Sequence, residues 1–139
     1  MTGSIGIDGL ESGPTLVMVH GAGANRKMWL PEIDCLSDRY RMVTVDLPGH
    51  GARMDEKYYY GQSVAAVEQA IEGHTSGSVV VVGLSLGGYV AMAVRHPRIA
   101  GLVLSGSTIA YTGWGGLSTK LYGMALAPLT RFVRKANEK

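Results

Sequence analysis

The sequence predicts an α/β protein, a mostly parallel sheet flanked by helices, and three observations carry that expectation. Short apolar runs alternate with stretches of helical character along the chain. Each run is β-branched or continuously apolar rather than alternating, as strands buried on both faces should be. The 20 glycines in 139 residues supply many turns or close backbone approaches. Alternation of this kind is met by right-handed crossovers into a parallel sheet.

The elements follow in order. Thr15–His20 (TLVMVH) reads as the first strand and Arg26–Asp38 as the first helix. Arg41–Asp46 (RMVTVD) is the second strand, and Gln62–Glu72 the second helix. Val79–Leu84 (VVVVGL) is the third strand. Leu86–His96 is the third helix, stopped by Pro97, and Ile99–Ser105 (IAGLVLS) the fourth strand. Beyond Ser107 the texture changes to Gly, Ser and Thr around Trp114. Leu117–Lys135 then reads as one or two amphipathic helices, with Leu117, Leu121 and Met124 on one face and a break at Pro128. Residues 1–110 are therefore expected to form the core, and 111–139 a separate, helical element with a basic amphipathic tail.

Composition narrows the classes of function. With 46% hydrophobic and 17% charged residues and a net charge of +2, the chain can bury a core and is not of disordered composition. Cys35 stands alone, which excludes a disulfide scaffold and suits a reducing compartment. The N-terminus lacks the pattern of a secretory signal, and no apolar run approaches the ~20 residues of a transmembrane segment. A soluble, cytoplasmic protein is expected. Residues 1–116 carry eight Lys/Arg against ten Asp/Glu, so the positive charge lies in the tail, where Lys120, Arg131, Arg134, Lys135 and Lys139 face only Glu138. No aromatic-rich basic groove accompanies it, so nucleic acid is not an expected partner.

The chemistry concentrates at Gly83-Leu84-Ser85-Leu86-Gly87, a G-x-S-x-G pattern at the junction of a buried strand and a helix. A serine nucleophile must sit on a sharp, strained turn, and the chain crowds itself there unless the residues two before and two after are small. The Leu86 amide, at the start of the following helix, is then aimed where an oxyanion develops. The plainer reading is a glycine-rich turn with a serine N-cap; four valines before it and an Ala/Gly-rich helix after it favour the nucleophile. A P-loop would need Lys where Tyr89 stands, and a dinucleotide fingerprint would need Gly at Ser85.

The first strand ends in His20-Gly21-Ala22-Gly23-Ala24-Asn25. Gly21-x-Gly23 followed by Asp46 also suggests a dinucleotide site. The third fingerprint position is Arg26, however, too large for close helix packing, and Asp46 runs into the tight turn Leu47-Pro48-Gly49-His50-Gly51. No cofactor is expected. Beside a serine nucleophile the loop has another use, because a second oxyanion amide comes from the loop after a neighbouring strand. Ala22, small and flanked by glycines, suits that position.

These three segments, His20-Gly21-Ala22-Gly23, Asp46 to Gly51 and Gly83 to Gly88, resemble the α/β-hydrolase superfamily in order and spacing, over about Pro14 to Ser107. The resemblance implies a partial α/β-hydrolase fold, with Ser85 as nucleophile and the Ala22 and Leu86 amides as oxyanion hole. It implies a structural turn at Asp46 and His50, and the start of a helical cap in residues 111–139. The family's triad runs Ser, then Asp or Glu, then His. After Ser85 this sequence offers only His96 and Glu138. His96 is expected in the last helical turn, roughly 15 Å from Ser85 at 1.5 Å per residue, where it complements the helix dipole. His20 is expected to order the oxyanion loop, His50 to lie near the site, and His74 to end a surface helix.

The leading expectation is a serine hydrolase of small carboxylic esters or thioesters, working through an acyl-serine and impaired in this chain because the triad Asp and His are missing. Such a chain would be the N-terminal half of a longer machine. Ile99–Ser105 would then be an apolar edge open to pairing. The alternative is a non-catalytic hydrolase-fold fragment that binds a partner, its missing C-terminal half or a second copy of itself. Acyl transfer to an acceptor other than water would use the same nucleophile.

Overall fold

A computed structural model describes residues 3–107. A five-stranded sheet runs through them in the order β1-β3-β2-β4-β5. The strands are β1 (Ile5–Gly9), β2 (Thr15–Val19), β3 (Arg41–Val45), β4 (Val79–Leu84) and β5 (Ile99–Ser105). The helices are α1 (Leu30–Leu36), α2 (Tyr60–His74) and α3 (Leu86–Ala93), with 3-10 turns at Arg26–Trp29 and Gly51–Arg53. β2, β3, β4 and β5 are parallel, as expected, and β1 joins antiparallel to β3 with Ile5 opposite Val45 and Gly9 opposite Arg41. The expected cap and basic tail over 111–139 lie outside the described residues, as do residues 108–110 of the expected core.

Three of the four continuous apolar runs, β2, β3 and β4, become strands covered on both faces, whereas β5 keeps Leu102, Val103 and Leu104 exposed. On one face Val17, Val19, Val43, Val45, Val79 and Val81 pack with Val67 and Ile71 of α2 and Val90 and Ala91 of α3. On the other, Met18 and Met42 pack with Trp29, and Ile33 and Leu36 of α1 close over them. At roughly 1.5–3 kcal/mol per fully buried aliphatic side chain, these two layers supply the main stabilising force. They fix the sheet whose carboxyl edge carries the three motif loops.

Beyond one-residue differences at the ends of β2 and β3, four elements differ from expectation. β1 was not anticipated, because two of its five residues are glycine and weaken its β signal. Its Gly6 has no room for a side chain: an added Cβ would lie 2.6 Å from Thr44 Oγ1 and 2.7 Å from the Arg26 guanidinium. The first helix is not continuous over Arg26–Asp38. Pro31 has no N–H to bond back into the preceding turn, so the chain makes a 3-10 turn and starts α1 afresh, with Pro31 in its first turn. α2 runs two residues further at each end than Gln62–Glu72. α3 stops at Ala93, three residues before His96, because Val94 turns extended (ψ 136°) and Arg95 N–H bonds Glu68 Oε1 at 2.8 Å instead of continuing the helix.

Candidate active site

Ser85 joins β4 to α3 at φ 51° and ψ −112°, the only described non-glycine residue with positive φ. An L-residue held there costs about 1–3 kcal/mol and persists only where its surroundings over-determine it. The surroundings do so. Ser85 N–H donates to Ser105 O at the end of β5 (2.7 Å). Ser85 O accepts from Gly88 N–H (3.0 Å), Tyr89 N–H (3.2 Å) and the Ser107 hydroxyl (2.8 Å). The side chain is solvent-exposed and makes no N-cap bond, so the plain capping role is not what the serine performs.

The glycines around it answer to separate neighbours. A Cβ on Gly83 would lie 2.6 Å from Gly88 Cα, and one on Gly87 would lie 2.6 Å from His20 O and 2.7 Å from Val19 C. On Gly88 it would fall 2.8 Å from Ser107 Cβ. The spacing of the pattern is thus a set of three close approaches: strand to helix, helix to β2, and helix to the end of β5. The Ser107 strap was missed at the level of sequence. No local signal marks it, since its partner lies 22 residues away.

The loop after β2 lies against this elbow. A Cβ on Gly21 would stand 3.6 Å from Ser85 Cβ and 3.4 Å from Leu84 O. Ala24 N–H turns back to Gly21 O (3.2 Å), and Gly23 takes φ 73°. Ala22 is exposed, and among the described residues neither its N–H nor that of Leu86 has an acceptor. The two amides named from sequence therefore sit on the loop and the helix start that flank Ser85.

Of the positions read from sequence for the histidines, His74 at the end of α2 is met and His96 in the last turn of α3 is not. His20 is fully buried just past β2; its Nδ1 is 2.8 Å from Gly21 O, and its Nε2 accepts Leu47 N–H at 3.1 Å. Burial, and more weakly the neighbouring His50, push its pKa below the ordinary histidine value; the Gly21 bond and Asp46 oppose this. His50 packs its ring 5.0 Å from that of His20 and holds Pro48 O through Nδ1 (3.0 Å). His74 ends α2, as expected. His96 is not in the last helical turn. It lies beyond α3, with Nε2 on Glu72 (2.9 Å) and Nδ1 accepting from Arg98 N–H (3.1 Å). Both its nitrogens are committed, and the pairing pulls the Glu72 carboxyl below its usual range, with Arg98 adding to the effect.

Asp46 is buried and accepts from Arg26 N–H (2.6 Å) and Ala52 N–H (2.9 Å), tying the end of the loop after β2 to the turn after β3. A carboxylate so engaged holds backbone rather than substrate. Among the described residues no imidazole bonds Ser85 Oγ, no cluster of His, Cys, Asp or Glu could hold a metal, and no helix is long and apolar enough to cross a membrane. The arrangement presents an exposed hydroxyl on a strained turn between two unpaired amides, a geometry suited to attack on a carbonyl.

Comparison with known proteins bears on the same region. A family model described as the alpha/beta hydrolase family matches residues 16–137. The pimeloyl-[acyl-carrier protein] methyl ester esterase of Nitrosomonas europaea is 40% identical over 108 residues, covering 76% of this chain and 42% of that protein. The 1-acylglycerol-3-phosphate O-acyltransferase of Arabidopsis thaliana is 30% identical over 114 residues, covering 75% of this chain and 27% of that protein. Among solved structures, a putative alpha/beta hydrolase family protein from Desulfitobacterium hafniense superposes with a TM-score of 0.65 at 29% identity, over 91% of this chain and 52% of that one. The chain thus spans less than half the length of these curated relatives.

Proposed function

The chain belongs to the alpha/beta hydrolase family, and on that premise we propose that it carries the nucleophile half of a serine esterase acting on small carboxylic esters or thioesters. Ser85 Oγ attacks the acyl carbonyl, and the Ala22 and Leu86 N–H groups receive the oxyanion. Collapse of the tetrahedral intermediate expels the alcohol or thiol and leaves an acyl-serine for water to cleave. The observation that carries this reading is the positive φ of exposed Ser85, held by four backbone-directed hydrogen bonds while its hydroxyl stays free of a capping role. An ester substrate is supported by the esterase name of the Nitrosomonas relative. The exposed free thiol of Cys35 suits a reducing, cytoplasmic setting.

Attack by Ser85 requires a base, and the histidine that follows it in this sequence is occupied by Glu72 and Arg98. The 139-residue chain by itself is therefore an impaired hydrolase, retaining the ~10³–10⁴-fold over water that an oxyanion hole and binding supply without a working triad. A fluorophosphonate probe with peptide-resolved mass spectrometry tests both parts. Slow labelling confined to Ser85 is expected. Labelling at another serine would remove the nucleophile assignment, and fast stoichiometric labelling of Ser85 would remove the impairment.

A second reading, a non-catalytic fragment that associates, is favoured by β5. This strand pairs with β4 on one side and exposes Leu102, Val103 and Leu104. Such an edge is a template for another strand, from a second copy or from a C-terminal half. Light scattering after size exclusion separates the two, since a monodisperse monomer counts against association. The Arabidopsis relative is named for acyl transfer, which in this chain would pass the same acyl-serine to an alcohol in place of water.

A further inference from the structure

We propose that His20 is a positioning residue for the oxyanion hole, a neutral, tautomer-locked strut that orients the Gly21–Ala22 peptide by bridging it to the turn at Leu47. The inference rests on the reading of Ala22 as an oxyanion donor and deepens it.

Leu47 N–H can only donate, so the Nε2 it meets at 3.1 Å carries the lone pair. A neutral imidazole then bears its proton on Nδ1, which donates to Gly21 O at 2.8 Å. Gly21 C=O and Ala22 N–H belong to one planar trans peptide and point to opposite sides of it. The carbonyl is held by His20 Nδ1 at 2.8 Å and, at a longer 3.2 Å, by Ala24 N–H, and fixing it fixes the direction of the Ala22 N–H. Gly21 is the residue lying against Ser85, so rotation of this peptide is felt at the nucleophile.

The strut also has a defined way to fail. Protonating Nε2 sets two donors, N–H facing N–H, across the contact to Leu47, and that end of the bridge opens. The groups facing His20 are His50, whose ring lies 5.0 Å away and disfavours a second positive charge, and Asp46, which favours one. Tyr58 stands edge-on behind His50. Burial decides the outcome in favour of the neutral ring. Acid therefore misaligns the oxyanion amide without touching the nucleophile.

The test is built so that the missing base does not matter. In the full chain carrying Ser85→Cys, the introduced thiol is treated with p-nitrophenyl acetate or with iodoacetamide. Acylation passes through a tetrahedral oxyanion and expels p-nitrophenolate; alkylation expels iodide and forms no oxyanion. Both proceed through the thiolate, so their ratio isolates the oxyanion hole, and Cys35, exposed elsewhere on the surface, provides the reference ratio in the same sample. The expected ratio at position 85 exceeds that at Cys35 by at least about tenfold, in line with the 10²–10³ range for one oxyanion donor. His20→Leu lowers it by about 10- to 100-fold, whereas His20→Asn, which keeps a side-chain N–H for Gly21 O, stays within about threefold of the parent. Both variants leave Leu47 N–H without its acceptor, so a purely structural role would move them together.

A His20→Leu ratio equal to the parent's overturns the strut while leaving the Ala22 reading intact. A parent ratio no higher than that of Cys35 overturns the oxyanion reading and the strut with it. Should His20→Leu not fold, the parent's pH profile decides: the ratio holds above the ordinary histidine range and falls on acidification below it if His20 must be neutral, and a profile flat down to the onset of acid unfolding refutes it.

Discussion

Adding one methyl group at Gly87 should destabilise the chain, although the same change elsewhere in its helices should stabilise it. A Cβ at Gly87 would lie 2.6 Å from His20 O, 2.7 Å from Val19 C and closer still to Val19 O. All three are backbone atoms at the end of β2 in the middle of the sheet, and none can rotate aside. Ordinary carbon contacts begin near 3.5 Å, so α3 must lift by about 1 Å, drawing Val90 and Ala91 off Val19 and Val81. Overpacking of this kind costs about 1–3 kcal/mol, and the unyielding backbone puts Gly87→Ala towards the upper part of that range. Replacing glycine by alanine within a helix returns at most about 1 kcal/mol. The net effect is roughly 1–2 kcal/mol of destabilisation, a fall in Tm of about 5–15 °C for a domain of this size. Gly61 and Gly73 of α2 provide the control, since an added Cβ at either meets nothing within 4 Å. Gly61→Ala and Gly73→Ala should each gain about 0.5–1 kcal/mol. Thermal unfolding followed by circular dichroism, with urea midpoints alongside, reads all three. A Gly87→Ala chain melting at or above the parent would show that the close approach of α3 to β2 is not what the glycine serves.

Two further outcomes follow from the same site. Ser85→Gly should abolish fluorophosphonate labelling at residue 85 and yet stabilise the fold by roughly 1 kcal/mol, because glycine takes φ 51° without the ~1–3 kcal/mol of strain; a lower urea midpoint than the parent would refute the strain. For His20, whose folded pKa is depressed, the unfolded chain binds the extra proton first. Stability is therefore complete above the unfolded value of about 6.5 and falls as the pH drops below it, by at most ~1.4 kcal/mol per pH unit. His20→Asn should remove that part of the slope, and urea titrations of both chains at a series of pH values would expose an unchanged slope.

Legibility in the sequence followed the range of the forces. β2, β3 and β4 could be read because valine-rich runs are covered on both faces whatever their partners are, and β5 because its apolar run is continuous, although Leu102, Val103 and Leu104 stay exposed. β1 could not, because a strand of Ile5-Gly6-Ile7-Asp8-Gly9 exists only by courtesy of the β3 edge it pairs with. The end of α3 was misjudged because a glutamate on α2, 27 residues earlier, takes the Arg95 N–H, and His96 moved with it. The elbow was legible for the opposite reason: its steric demands fall on residues two before and two after the serine, all within reach of local reading. What supports the elbow was not. The Ser107 strap, the Asp46 bridge to Arg26 and the His20–Leu47 bond each join residues 20 or more positions apart, and no periodicity announces them.

The glycines make the distinction sharpest. Counted together they say only that the chain turns often. In the fold, Gly83, Gly87 and Gly88 are each pressed by a different neighbour, Gly21 lies against Ser85, and Gly61 and Gly73 face open space. A motif marks the first four and nothing in the sequence marks the last two as replaceable, since an α-helix accommodates a glycine at modest cost wherever it falls. The contrast has a chemical consequence. Intolerance to a methyl group here converges on Ser85 from three directions: the backbone of β2 through Gly87, the close approach of β4 to α3 through Gly83, and the Ser107 side chain, just past β5, through Gly88. A turn held at positive φ by β2, β4 and the segment after β5 at once is fixed before any substrate arrives, and in the proposed reaction that fixed geometry is what would let the Ala22 and Leu86 amides meet a developing oxyanion without reorganising.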